Sequence, residues 1–517
     1  MRIEINDPRL FGIKRERLML KQIEASLVNH PMVILSGSRK VGKTTVFLQL
    51  AAKTANAEYI DCELTEDVKR LESLFYEEDD VLLLIDEIQR LPRCQDWIQY
   101  LANKANNIST FRVVCTGSVA ACMEILSRGK AGGGRSSYIH MPVITYLEYL
   151  YITSAISCYD VDLMKVEYKE SFYDYMLLKG AEQFSIGPIN KEYIERSASD
   201  MREAEQSTRV VSTLLDTNID DIKNAFILLS YRLAQEWVYD DIFKTPIIGN
   251  NELQMVVSDQ LRAFEEFGKF SVLAAARSSM SDEQIARALR YLLWNGLAVY
   301  ESVSTDYGDQ MSSILTTLYL GKEEAYTAGF VQKLFARGNT IFAVNPLIYS
   351  ALSDELFDIL EEIVSNNSRN SCFSTLISRI KQKLSSRKKL GFIADRPVLG
   401  SWVECYLKGS FARMTTFPPF RVYKFNDPSG REVDIVGSFP KAMIEVTVQR
   451  KDKTANNVNF HLFRKGTEPC ILTTNRTFGV ETMSGVEVMK IPYPMMAAFL
   501  DRGELPKIEY VKEVTNV

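Results

Sequence analysis

The chain has 517 residues, 46% of them hydrophobic and 25% charged, with a formal net charge of −5. That length exceeds one ordinary core and implies about two to four domains, while the negative balance excludes nucleic-acid coating by the whole surface and leaves room for a local basic face. Eight scattered cysteines without C-x-x-C spacing and only three histidines argue against a zinc site or a disulfide framework and fit a reducing cytoplasm.

From the N-terminus, MRIEINDPRLFGIKRE is too charged for a signal peptide, and no apolar run reaches transmembrane length. A cytoplasmic protein with no membrane partner is therefore expected. Phe11 to Val28 reads as an amphipathic helix. Met32 to Leu35 is an apolar β-type run, and Thr45 to Lys53 continues at helical spacing. Between them Gly37, Ser38, Arg39, Lys40, Val41, Gly42, Lys43 and Thr44 fill the pattern G-x-x-x-x-G-K-[ST]. A strand that ends in such a loop and opens a helix aims several backbone N–H groups at one point, with the positive end of the helix behind them. The two glycines allow close approach of a phosphate. Lys43 is expected to reach the β- and γ-phosphates and the Thr44 hydroxyl to ligate Mg²⁺, with Thr45 beside it.

Ala57 to Leu64 is a plausible second strand. Val81 to Ile85 is a continuous apolar run closed by Asp86 and Glu87, the pattern of a parallel strand buried on both faces. Asp86 is expected to hold Mg²⁺ directly or through water, and Glu87 to polarise the attacking water. Phe111 to Ser118 repeats the grammar of a strand followed by small polar residues, which puts Thr116 or Ser118 beside Asp86. The glycine-rich loop from Ser127 to Arg135 carries cations, and Arg128 or Arg135 is a candidate arginine finger for a neighbouring copy. Tyr138 to Val143 is the expected last strand.

LSGSRKVGKTT, LLLIDEIQRLP, VVCTGS, the Gly-Arg loop and PVITYLEYL together resemble the AAA-type ATPases of the archaeal and STAND-related P-loop branch. The resemblance covers about the first third of the chain. It implies ATP as the nucleotide, IDEIQ as the Walker B strand and TGS as sensor 1. Ile144 to Tyr149 fits the family's P-L-S-F-x-E-F sequel in its last six places, with Val143 where the proline belongs.

From Tyr151 to about Asn224 the pattern is helical, broken at Gly187-Pro188 and Ser197-Ala198-Ser199, and it shows no chemistry. Ser281-Asp282-Glu283-Gln284 is a helix start with the capping-box spacing. The helix Ile285 to Asn295 is followed by Leu297 to Tyr300 and a turn near Tyr307-Gly308-Asp309, which suggests a winged helix. Ser365 to Lys389 is polar and basic and reads as a linker.

In the C-terminal part, Gly400 to Leu407 is a helix start carrying Glu404. Arg421 to Phe425, Glu432 to Val436 and Met443 to Val448 are strands, the last two carrying Asp434 and Glu445. Those three carboxylates are expected to converge as Mg²⁺ ligands. The segment resembles the restriction-endonuclease-like PD-(D/E)xK domain often fused behind this ATPase branch, whose pattern runs G-x-x-x-E, E-V-D and E-V-K. Thr447 stands where that family has its lysine, so the fold is expected with cleavage lost or greatly reduced. Lys451 lies about 13 Å further along an extended strand. Basic residues from Arg379 to Arg431 suggest a DNA- or RNA-facing surface.

The fold expected is thus α/β throughout: a P-loop parallel-sheet ATPase domain over 1–155, a helical region over 156–225, a helical and winged-helix domain over 226–364, a linker over 365–390 and a nuclease-like domain over 391–517. Its expected activity is ATP hydrolysis, with Lys43, Glu87 and Arg135 catalytic. The expected role is a switch or motor acting with nucleic acid, self-associating through the trans arginine. A regulatory protein–protein module is the alternative.

Overall fold

The computed structural model describes residues 15–129, 132–168, 171–176, 178, 186–207, 218–244, 280–303, 312–335, 339–351, 398–415, 419–426, 432–438, 440–447, 459–463 and 468–515. The first helix, α1 (Leu18–Asn29), leads into β1 (Met32–Ser36), the loop, and α2 (Lys43–Lys53). There follow β2 (Ala57–Asp61), α3 (Thr65–Glu77), β3 (Val81–Asp86), α4 (Cys94–Asn107), β4 (Phe111–Gly117), α5 (Ala120–Arg128), β5 (Ser136–His140) and α6 (Tyr146–Ile152). These strands form a parallel sheet in the order β2-β3-β4-β1-β5. Strands β1 and β3 are buried along their whole length, which is why their sequences are uninterrupted apolar runs rather than alternating ones. Ser36 pairs with Gly117 and Ile85 with Cys115. The exits of β1, β3 and β4 therefore lie on one edge, at the crevice where the strand order reverses.

The helices that follow are α7 (Ser171–Met176), α8 (Lys191–Ser207), α9 (Ile219–Lys244) and α10 (Asp282–Trp294). The polar stretch Ser197 to Ser199 does not break the chain as its composition suggests; it lies inside α8, with Ser197 and Ala198 buried. Helix α10 starts on the capping box between Ser281 and Gln284. It is followed by β6 (Ala298–Val303), α11 (Ser312–Tyr319), α12 (Ala328–Leu334), β7 (Thr340–Ala343) and α13 (Leu347–Ser350). The expected wing turn near Tyr307 lies outside the described residues. Strand β6 pairs with β7, beyond two helices, instead of with a strand returning from a tight hairpin.

The C-terminal elements are α14 (Val398–Thr415), β8 (Arg421–Asn426), β9 (Glu432–Ser438), β10 (Lys441–Glu445), α15 (Phe460–Phe463), β11 (Cys470–Thr474), β12 (Gly479–Met483), β13 (Val486–Pro492), α16 (Tyr493–Arg502) and α17 (Ile508–Thr515). A helix is followed by the antiparallel meander β8-β9-β10, a short helix, and β11 parallel to β10. Because β6 pairs parallel with β8, the sheet has eight strands in the order β12-β13-β11-β10-β9-β8-β6-β7. It runs across the boundary that the sequence places at 365–390, a segment outside the described residues. The C-terminal part also caps a helix of the first domain. The Tyr146 N–H donates to the Tyr406 hydroxyl at 2.7 Å, the Leu147 N–H donates to Asp501 at 3.1 Å, and the Tyr406 hydroxyl donates to Asp501 at 2.7 Å. The first N–H groups of α6 have no partner inside their own helix, and these side chains supply one.

Candidate nucleotide site and a second carboxylate cluster

The loop between β1 and α2 is shaped by close backbone contacts. A Cβ at Gly37 would meet the Met141 carbonyl at 2.6 Å, and Gly42 has φ +94° with the Arg17 guanidinium 2.7 Å from where its Cβ would stand. Lys43 is buried and donates to the carbonyls of Gly37 and Ser38 at 3.0 and 3.2 Å. Its ammonium lies 3.9 Å from a Glu87 oxygen. The loop is braced by Arg17, which donates to the Val41 carbonyl at 2.9 Å and pairs with Glu148 at 2.7 Å, both side chains buried. That brace is not evident from the sequence, although Thr145 and Glu148 carry the capping-box spacing that the structure realises.

At the exit of β3 the Thr44 hydroxyl donates to Asp86 at 2.7 Å, Tyr59 donates to the same oxygen at 3.1 Å, and Thr116 donates to the other. A hydroxyl and a buried carboxylate at this spacing are the hard oxygen donors that a small divalent cation takes, so the residues fit Mg²⁺. Glu87 sits in the left-handed region at φ 52°, a conformation that costs about 1–3 kcal/mol in a non-glycine residue and clusters at functional sites. Its N–H donates to Thr116 at 3.0 Å, and its carboxylate accepts from Ser118 at 3.0 Å and from Gln89. Burial and the neighbouring Glu87 push Asp86 above the usual carboxylate range. For Glu87, burial acts in the same upward sense, but Lys43, Gln89 and Ser118 outweigh it and hold that carboxyl below its ordinary value. Both sensor candidates reach the acids, Thr116 at Asp86 and Ser118 at Glu87.

The structure brings Lys43, Thr44, Asp86, Glu87 and Ser118 together, with Thr45 on the first turn of α2. Ser38 and Arg39 line a cleft on the Ser118 side of the loop. Lys40 has φ 62°, and the buried Val41 presents its carbonyl to Arg17. Arg135 does not join them. It precedes Ser136, which pairs with Met32 at the start of β1, so it stands at the edge of the sheet opposite the loop. The side chain of Arg128 lies outside the described residues. Two residues from the region that shows no chemistry in the sequence do arrive: Asp200 accepts from Arg39 and Arg90, and Glu203 accepts from Arg90 at 2.9 Å.

Residues 29–150 match the family model of an AAA domain. No curated protein matches the chain. Among solved structures, it is similar to the Walker-type ATPase PABY2304 of Pyrococcus abyssi at 15% identity, covering 49% of this chain and 93% of that one, with a TM-score of 0.25. It is also similar to AMPPCP-bound DnaA from Aquifex aeolicus at 11% identity, covering 72% and 94%, with a TM-score of 0.26. The replication initiator DnaA bound to AMPPCP and single-stranded DNA is similar at 12% identity, covering 71% and 93%, with a TM-score of 0.26.

The C-terminal carboxylates meet a different environment. Lys408, one turn after Glu404 on α14, is buried and pairs with Glu404 at 2.5 Å and with Glu301 of β6. Lys424 on β8 pairs with the other oxygen of Glu301 at 3.2 Å. Burial pushes Glu301 up, but the two ammoniums outweigh it and hold the carboxyl at about 2. Asp434 accepts from the Val446 N–H at 2.7 Å, and burial with Glu445 and Glu404 nearby drives its carboxyl well above the usual range. Among the described residues no group of three or more His, Cys, Asp or Glu side chains is arranged to hold a metal ion. Of the Mg²⁺ ligands expected there, Glu404 has Lys408 as a counter-ion on one oxygen, and Asp434 lies within electrostatic reach of both Glu404 and Glu445. Strand β10 ends at Glu445, so Thr447 lies beyond it, its N–H donating to Thr473 at 2.8 Å. Lys451 lies outside the described residues. The expected basic face is also altered: Lys408 and Lys424 face inward to Glu301, and Arg413 lies 3.7 Å from Asp501.

Proposed function

We propose that this chain binds ATP with Mg²⁺ in the loop from Gly37 to Thr45 and hydrolyses it to ADP and phosphate, using the cycle as a switch that acts with nucleic acid. The observation that carries the reading is the meeting of Lys43 and Thr44 with Asp86 and Glu87 at one edge of a parallel sheet. Lys43 would leave the loop carbonyls for the β- and γ-phosphates. Thr44 and Asp86 would hold Mg²⁺, which when bound neutralises charge developing on the phosphates. Glu87, kept ionised by Lys43 and oriented by Ser118 and Gln89, would accept a proton from the attacking water. Arg135 would enter only from a second copy, since its own sheet separates it from its own loop.

In this reading the nucleotide unit spans 1–155 and the helical region over 156–225 responds to it. Residues beyond 226 carry the output, and the domain over 391–517 keeps a nuclease-like order of elements without a metal-dependent reaction. The basic composition of the segment from Arg379 to Arg431 supports nucleic acid as the partner. Calorimetric titration with ATP and Mg²⁺ tests the first half: absence of affinity rejects it. ATPase rates with and without single-stranded DNA, duplex DNA and RNA test the second. Stimulation that falls with salt is expected, whereas unstimulated turnover would leave a protein-docking switch.

A further inference from the structure

The side chain of Asp200 fastens helix α8 to the nucleotide loop. Asp200 is 2% exposed. One of its oxygens accepts from Arg39 at 2.5 Å and from Ser118 at 2.8 Å, and the other accepts from Arg90 at 2.8 Å. The Ser118 hydroxyl also lies 3.0 Å from Glu87. A hydroxyl has one proton to give, so Ser118 serves either Glu87 or Asp200 at a given moment. Asp200 thus competes directly with the acid that would activate water. It also occupies Arg39, a cation of the phosphate-binding loop itself. The cleft at this point is lined by Ser38, Arg39, Ser118, Tyr193, Asp200 and Tyr291, so it is walled by the loop, the exit of β4, α8 and α10.

A buried carboxylate that takes hydrogen bonds from a guanidinium and a hydroxyl offers them what a phosphate oxygen offers, an anionic acceptor in the same hydrogen-bonding role. A terminal phosphate carries more charge than one carboxylate and attracts the same guanidinium more strongly. We propose that Asp200 is an internal stand-in for the terminal phosphate, holding Arg39 and Ser118 when that phosphate is missing, and that ATP but not ADP draws Arg39 away from it and so frees Ser118. The proposal rests on the ATP reading above. Release of Arg39 detaches α8 from the loop, while Arg90 keeps it tethered through Asp200 and Glu203, so the helix loosens without departing. Ser118 is returned to Glu87 in the same event, which couples readiness for hydrolysis to the loosening of α8. Because α8 packs on α9, and α9 on α10, the terminal phosphate gains a route to the middle of the chain.

The test uses the full chain. If the latched form holds nine-tenths of the population, Asp200→Asn tightens apparent ATP affinity about tenfold. ADP affinity stays within about twofold, because ADP never displaces the latch. Equal shifts for both nucleotides, or none for either, overturn the proposal. Wild-type protein with no nucleotide affinity would instead reject the ATP reading itself. A measurement independent of the variant's folding is amide hydrogen exchange of wild type: peptides covering 191–207 should exchange faster with a non-hydrolysable ATP analogue than with ADP. Equal exchange in the two states overturns the proposal as well.

Discussion

Among the described residues, two carboxylate clusters hold a buried lysine, and they differ in what the lysine is doing. At the nucleotide loop Lys43 is held by two carbonyls and stands 3.9 Å from Glu87, while hydroxyls occupy Asp86. Hydroxyls and carbonyls give way to an incoming anion or cation without leaving a charge unpaired. In the C-terminal sheet Lys408 and Lys424 are matched against Glu301 and Glu404. Two cations against two ionised glutamates close the account locally, and Asp434 is left with its carboxyl well above the ordinary range. Asp86 is partnered by neutral hydroxyls, whereas Glu301 and Glu404 are partnered by ammonium groups.

The comparison is broken most forcefully at Glu87. Replacing it with glutamine should slow ATP turnover by about a hundred- to ten-thousandfold while bound ATP persists, as measured by single-turnover hydrolysis beside equilibrium binding. A variant that hydrolyses normally would remove the water-activating role. Next in size is Lys43→Ala, which should cost about 2–5 kcal/mol of ATP affinity, read by calorimetry. Retention of affinity would mean that the loop's amides suffice.

Lys408→Met sharpens the comparison from the other side. It strands buried acids, so denaturant unfolding should show a loss of about 3–5 kcal/mol. Millimolar Mg²⁺ should recover part of that loss in the variant and change nothing in the wild type. Mg²⁺-dependent nicking of DNA by the wild type, abolished by Asp434→Ala, would overturn the assignment of Lys408 as the resident cation.

The smallest expected effect concerns Asp501, where the C-terminal half caps α6 of the first domain. Burial raises its carboxyl to about 6 against opposition from Arg413 and its hydrogen bonds. The folded chain therefore takes up a proton near pH 6 and the unfolded chain only near 3.8, so stability increases as pH falls through that window. Asp501→Asn should flatten the pH dependence of the melting temperature between pH 7 and 5 by about a degree or two.

The nucleotide loop and the β3 acids were legible because their chemistry is written in contiguous residues: a loop that cradles phosphate is local, and its strand announces itself by an unbroken apolar run. Asp200 was not legible. It is 82 positions from Ser118, in a stretch whose small polar residues look like a break, and only helix packing turns it toward the loop. Lys408 carried a signal that reads two ways. Its spacing of four from Glu404 places both on one helix face, yet its presence in a basic run suggests solvent. Leu297 to Tyr300 reads as a strand, but no local pattern names β8 as its partner.

The donation of β6 to the C-terminal sheet has a consequence during synthesis. Val303 leaves the ribosome about 120 residues before Arg421, an interval on the order of ten seconds at usual elongation rates. Through that interval the edge of β6 that will receive β8 has open N–H and C=O groups, the template on which strands of other nascent chains add. The long helix α14 emerges just ahead of β8 and packs on both β6 and β7. Among the described elements it joins α10 on β6 before β8 arrives, and codons slowing elongation between Val303 and Val398 would lengthen the exposure of that edge more than slowing anywhere after Asn426.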